Sequence, residues 1–123
     1  MRTYLAGPMT GIEHFNFPAF DRWRDWLFGH GDTVFSPADN DRLLMGRPDD
    51  WIPQETDTEG PWQKWAIPGA PSTRTMLGED MTWIATHADG IAMMPGWEHS
   101  RGAMVEHMLA VALGLEIKYL IAS

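Results

Sequence analysis

The C-terminal stretch Gly90–Ile121, GIAMMPGWEHSRGAMVEHMLAVALGLEIKYLI, reads as one strand–helix–strand unit. Gly90–Met94 is a short apolar run stopped by Pro95-Gly96, the pattern of a buried strand. Ser100 is a good N-cap for a helix running to about Leu113, and Gly114 is its C-terminal stop. Glu116–Ile121 then returns as a last strand. A strand, a helix and a strand in that order make a parallel pair with a right-handed crossover.

The same grammar extends toward the N-terminus. Thr3–Ala6 is a β-compatible run stopped by Gly7-Pro8, and a loop follows through Gly11. Phe17, Phe20 and Leu27 recur at helical spacing, so a helix is expected from about Pro18 to Phe28, closed by Gly29 and Gly31. Thr33–Phe35 is a second strand, ended by Ser36-Pro37. Met76–Ala88 reads as a further helix. From about Asp39 to Thr75 the pattern breaks down, and Pro48, Pro53, Pro61, Pro68 and Pro71 forbid a long helix or a central strand. The expectation is a single α/β domain over 1–123: a small doubly wound parallel sheet, flavodoxin- or Rossmann-like. About four strands and three helices are expected, with a long irregular insert over about 42–75. Trp51, Trp62 and Trp65 in that insert read as a loop that docks on something.

Composition narrows the function. The chain has 123 residues, enough for one compact domain, and a formal charge of −8. Binding to a nucleic-acid polymer depends on neutralising phosphates, so an acidic chain is not expected to do it. There is no cysteine, hence no disulfide, thiolate metal site or cysteine nucleophile. No apolar run approaches a membrane span and the N-terminus does not read as a signal peptide, so a cytoplasmic protein without a membrane partner is expected. His99 and His107 lie eight apart without companions at ligand spacing, so no metal site is expected. Dinucleotide, P-loop and nucleophile-elbow signatures are absent.

In a doubly wound sheet, ligands sit beyond the carboxyl ends of the strands. The loop Pro95–Arg101 should lie there, together with Gly7–Phe15 and the segment from Pro37 onward. Gly102, Glu106 and Ala110 share one helix face at spacing four, so Glu106 is a carboxylate among small residues near a helix N-terminus, where the dipole favours ionisation. It also fits an exposed helix glutamate. Ser100, Arg101 and the Gly102 N–H line an anion site, or else are a cap and a surface arginine. Asp80 reads as a charge near the start of its helix, and Tyr4 as a half-buried strand aromatic.

These segments together resemble a known family. They are Tyr4-Leu5-Ala6-Gly7, Asp80-Met81-Thr82-Trp83-Ile84, Ala88-Asp89-Gly90-Ile91, and Ser100-Arg101-Gly102-Ala103-Met104-Val105-Glu106 with Ala110 and Ala112-Leu113-Gly114. The set is similar to the nucleoside 2-deoxyribosyltransferase superfamily, which includes 2′-deoxynucleoside 5′-phosphate N-hydrolases. It looks closest to a short branch of phages and bacteria with YLAGPMTG, FNFPAF and LPGWExSxGAxxE-like stretches.

The resemblance implies roles. Glu106 matches the nucleophile that attacks the anomeric carbon, Asp80 the acid that helps the base leave, and Tyr4 the tyrosine that orients the glutamate. Serine at position 100, beside Arg101, matches the nucleotide hydrolases rather than the transferases and points to a 5′-phosphate. Thr10 stands where those hydrolases tend to place an arginine. Gly7, Met9, Thr10, Ile12 and Asn16 of the first loop, with Ser100, Arg101 and Gly102, are the expected substrate contacts. Met9, Ile12, Phe15 and Phe17 are candidates for an apolar slot for the base; the two phenylalanines equally suit the core. The implied activity is hydrolysis of a (deoxy)nucleoside 5′-monophosphate to free base and sugar phosphate. Base exchange between deoxynucleosides and non-catalytic nucleotide binding are the alternatives. No cofactor or metal is implied, and a homodimer or higher homo-oligomer is expected.

Overall fold

The computed structural model describes residues 1–53 and 73–121. Its strands are β1 (Arg2–Ala6), β2 (Thr33–Phe35), β3 (Gly90–Met93) and β4 (Glu116–Tyr119), in the order β2-β1-β3-β4, all parallel. The helices among the described residues are α1 (Phe17–Gly29), α2 (Pro37–Leu44), α3 (Thr73–His87) and α4 (Arg101–Leu113). This is a doubly wound, Rossmann-like α/β sheet, open at β2 and β4. No helix of the described residues is long and apolar enough to cross a membrane.

Strand alternation sorts the core into two layers. Leu5 points to one face, where it packs with Ala92, Phe17, Phe20, Leu27 and Ala38 of α1 and α2. Its neighbours Tyr4 and Ala6 point to the other, where they meet Ile91, Met93, Ile84, Ala103 and Ala110 under α3 and α4. In register, Tyr4 lies opposite Ile91 and Ala6 opposite Met93, so both strands feed the same layer at the same height.

Helix α2 corrects the sequence reading, which placed irregular chain from Asp39 and gave three helices. Ser36 stands at the N-cap, Pro37 in the first turn and Asp39 close behind, a standard helix start. The prolines that mask it lie further on. Arg42 is almost completely buried, and its guanidinium bonds both Asp21 carboxylate oxygens at 2.9 and 2.8 Å, Asp39 at 3.1 Å and the Trp51 carbonyl at 2.7 Å. It also lies over the Phe17 ring at 5.0 Å. Trp51 meets the same ring edge-on at 6.0 Å, so this tryptophan docks on the chain's own core. Trp62 and Trp65 lie outside the described residues.

Candidate active site

The strand order reverses between β1 and β3: one crossover leaves β1 toward β2, the other lies toward β4. The crevice at such a point is where doubly wound sheets bind ligands. Its two loops are pressed together. A Cβ on Gly7 would fall 2.8 Å from both the Cβ and the Sδ of Met94, so no larger residue fits. Gly7, one of the expected substrate contacts, thus lies against Met94 where the two loops meet.

Tyr4 is fully buried below the crevice, its ring stacked on Phe35 at 5.5 Å and tilted against Trp83 at 6.4 Å. Its hydroxyl donates to Glu106 Oε2 at 2.5 Å. Glu106 reaches it from the inner face of α4, between the buried small residues Ala103 and Ala110. Only 5% of Glu106 is exposed, which rules out the surface-glutamate reading. Gly102, on the expected face, is half-buried and has open space where its side chain would be.

Asp80 is buried at the middle of α3, eight residues into the helix, so it does not complement a helix N-terminus as the sequence reading had it. Its charge acts on both Tyr4 and Glu106. The structure thus brings Tyr4, Asp80 and Glu106 together from three elements. It adds Asp41 of α2, also buried, whose charge acts on Tyr4. Asp41 was missed because its helix was missed; the Ser36-Pro37 start was the available signal.

Burial pushes the Glu106 carboxyl up to about 8; the charge of Asp80 adds to the rise and the Tyr4 hydrogen bond opposes it. The sequence reading expected the α4 dipole to favour the ionised form. Glu106 is the sixth residue of α4, past the first turn where that effect is strong, and desolvation wins. Burial and the charges of Glu106, Asp80 and Asp41 hold the Tyr4 phenol well above its ordinary range, so it remains a donor.

The remaining expected residues surround this centre. Ser100 Oγ accepts from the Ala103 N–H at 3.2 Å, the cap the sequence indicated, and Arg101 is exposed beside it. In the first loop, Thr10 is exposed and Ile12 half-buried, and Met9 packs toward the α1 layer. Asn16 donates its amide to the Pro8 carbonyl at 2.9 Å, which closes the loop on itself. Phe15 and Phe17 are buried in the core, so they form no slot for a ligand. The turn that buries Phe15 is left-handed at His14, Phe15 and Asn16 (φ 55°, 50° and 63°), a conformation costing roughly 1–2 kcal/mol per residue. His14 helps to hold it by donating to the Pro53 carbonyl at 2.6 Å. Among the described residues, no group of three or more histidine, aspartate or glutamate side chains is arranged to hold a metal ion.

Fold and site define a doubly wound α/β protein with a buried tyrosine–carboxyl cluster at its switch point. The family model described as Domain of unknown function (DUF4406) matches residues 1–56 and 66–119, and the chain belongs to that family. No curated protein and no solved structure matches the chain.

Proposed function

We propose that this protein hydrolyses the N-glycosidic bond of a (deoxy)nucleoside 5′-monophosphate through a covalent glutamyl–sugar ester. The observation that carries the reading is the buried Tyr4–Glu106 hydrogen bond with Asp80 in electrostatic reach, on the face of the sheet covered by α3 and α4. Its support from the sequence is the resemblance described above.

In this reading Asp80 and Glu106 share one proton. In the free protein the proton resides on Glu106, because burial disfavours its charge. Positive charge developing on the sugar favours ionised Glu106, and the Tyr4 hydroxyl steadies that ion. The proton passes to Asp80. Glu106 then bonds to the anomeric carbon as the carbon–nitrogen bond breaks, and Asp80 gives its proton to the departing base. Ionised Asp80 next takes a proton from water, whose oxygen displaces Glu106 from the anomeric carbon. Sugar 5-phosphate and free base are the products. The open N-terminus of α4, with Arg101 exposed beside it, is the place for the phosphate.

The test is chromatography of base release from a panel of nucleosides and 5′-monophosphates, with Glu106→Ala as control. Release from monophosphates alone, lost in the variant, is the expected result. Exchange of bases between free nucleosides would instead assign a transferase. No turnover, with ligands still bound, would assign a binding protein.

A further inference from the structure

Tyr4 stands at the middle of β1, and Phe35, the last residue of β2, is its neighbour in register. Ile91 of β3 is its neighbour on the other side. In a parallel sheet, neighbours in register point to the same face, so Tyr4 rises between Phe35 and Ile91. Trp83 of α3 covers this face: its ring is stacked on Phe35 at 4.9 Å and tilted against Tyr4 at 6.4 Å. The Tyr4 and Phe35 rings lie 20° from parallel at 5.5 Å.

Strand β2 is an edge of the sheet, with no further strand beyond Phe35 among the described residues. Phe35 and Trp83 are each partly exposed, whereas Tyr4 is fully buried. The two rings are therefore the wall between the phenol and water on that side. A tyrosine ring has distinct staggered wells about its first side-chain bond, and moving between them swings the hydroxyl away from any fixed partner. A hydrogen bond of 2.5 Å to Glu106 tolerates no such swing. Apolar bulk would keep the phenol dry, but a stacked ring also fixes its plane, because aromatic pairs have preferred geometries.

From this we infer that Phe35 is a positioning residue for the Tyr4 hydroxyl: its stacked ring, backed by Trp83, holds the phenol in the rotamer that bonds Glu106. Of the groups around the Glu106 carboxyl, the Tyr4 hydroxyl of β1 favours its ion, while burial and Asp80 of α3 oppose it. Asp41 of α2 acts on Tyr4. A well-aimed hydroxyl thus prepares Glu106 for a charged state, and Phe35 contributes to that through Tyr4. The hydrogen bond is already present in the free protein, so the role of Phe35 does not depend on the reaction proposed above.

The test reads the Glu106 titration by carbon-13 NMR of the side-chain carboxyl, assigned with Glu106→Gln. Phe35→Leu keeps an apolar side chain on the wall but removes the stack. Its Glu106 titration should move above about 8, toward that of Tyr4→Phe. Phe35→Tyr keeps a ring and should titrate like the unaltered chain. Phe35→Leu combined with Tyr4→Phe should titrate as Tyr4→Phe alone, because both changes act through the same bond. A general loss of stability would not produce that pattern. Phe35→Met carries the same test should the leucine variant fail to fold. An unmoved or lowered titration in Phe35→Leu, a shift that adds to that of Tyr4→Phe, or a Phe35→Tyr that behaves like Phe35→Leu would each overturn the role. None of these readings needs a substrate, so their failure and the failure of the base-release assay are separate results.

Discussion

The molecule holds two ionic clusters, one that reaches the surface around the buried Arg42 and one that is buried. Between α1 and α2, Arg42 and Arg24 pair with Asp21, Asp25 and Asp39, with contacts from 2.6 to 3.3 Å. Under α3 and α4, the Tyr4 hydroxyl bonds Glu106, the charges of Asp80 and Asp41 act on Tyr4, and that of Asp80 acts on Glu106. The first cluster answers its charges internally and ties α1, α2 and Trp51 together. The second gathers carboxyls in a poorly solvated place, where burial and the charge of Asp80 raise the Glu106 carboxyl to about 8. A buried group that cannot ionise freely contributes little to stability, but it is poised for proton transfer.

The largest effect expected to separate the clusters is on turnover. Glu106→Gln keeps the shape and an acceptor for the Tyr4 hydroxyl but removes the proposed nucleophile. Base release measured by chromatography should fall at least about a thousandfold, while stability in urea at pH 8 should not fall. Arg42→Met should do the reverse. It should cost about 1–2 kcal/mol in urea denaturation, since Asp21 and Asp39 keep Arg24 but lose their bonds to the buried guanidinium and the Trp51 carbonyl loses its donor, with less than tenfold effect on turnover.

Next in size is a pH effect that belongs to one cluster only. The folded Glu106 carboxyl is raised to about 8 from the ordinary glutamate range, so the folded state binds the extra proton between those values. Stability from this group is fully present below the unfolded pKa. It falls by about 1.4 kcal/mol per pH unit as pH rises toward 8, then levels. Glu106→Gln should flatten this slope in urea titrations at several pH values. Tyr4→Phe removes the hydrogen bond that favours the ion, so the slope should persist above pH 8. The smallest effect sharpens the boundary of the site. Ser100→Ala should lose about 1 kcal/mol with the cap on Ala103, and the KM for monophosphates should rise if the phosphate sits there.

Much of the fold was legible because chain breakers stand at its joints. Gly7-Pro8 and Pro95-Gly96 end two strands, and Gly114 ends α4 in the left-handed conformation that glycine tolerates. Helix α2 was lost among prolines that belong to the chain beyond it. The carboxyl cluster was half legible. Glu106 and Asp80 stood out through the resemblance, but spacing alone left Glu106 at the surface and Asp80 at a helix end. Asp41 carried no mark, because nothing local shows that α2 returns to the strand bearing Tyr4.

By itself the sequence determined the alternation of strands and helices, the cap at Ser100 and the small-residue face around Glu106. These follow from backbone sterics and short-range periodicity, which act over a few residues. Tertiary structure alone decided the strand order, the meeting of Tyr4 with Glu106 across 102 positions, and the proton Glu106 holds. Ionisation depends on how much water and which charges surround a group. For Glu106 that is set by side chains from β1, α3 and α4, which only the folded chain brings together.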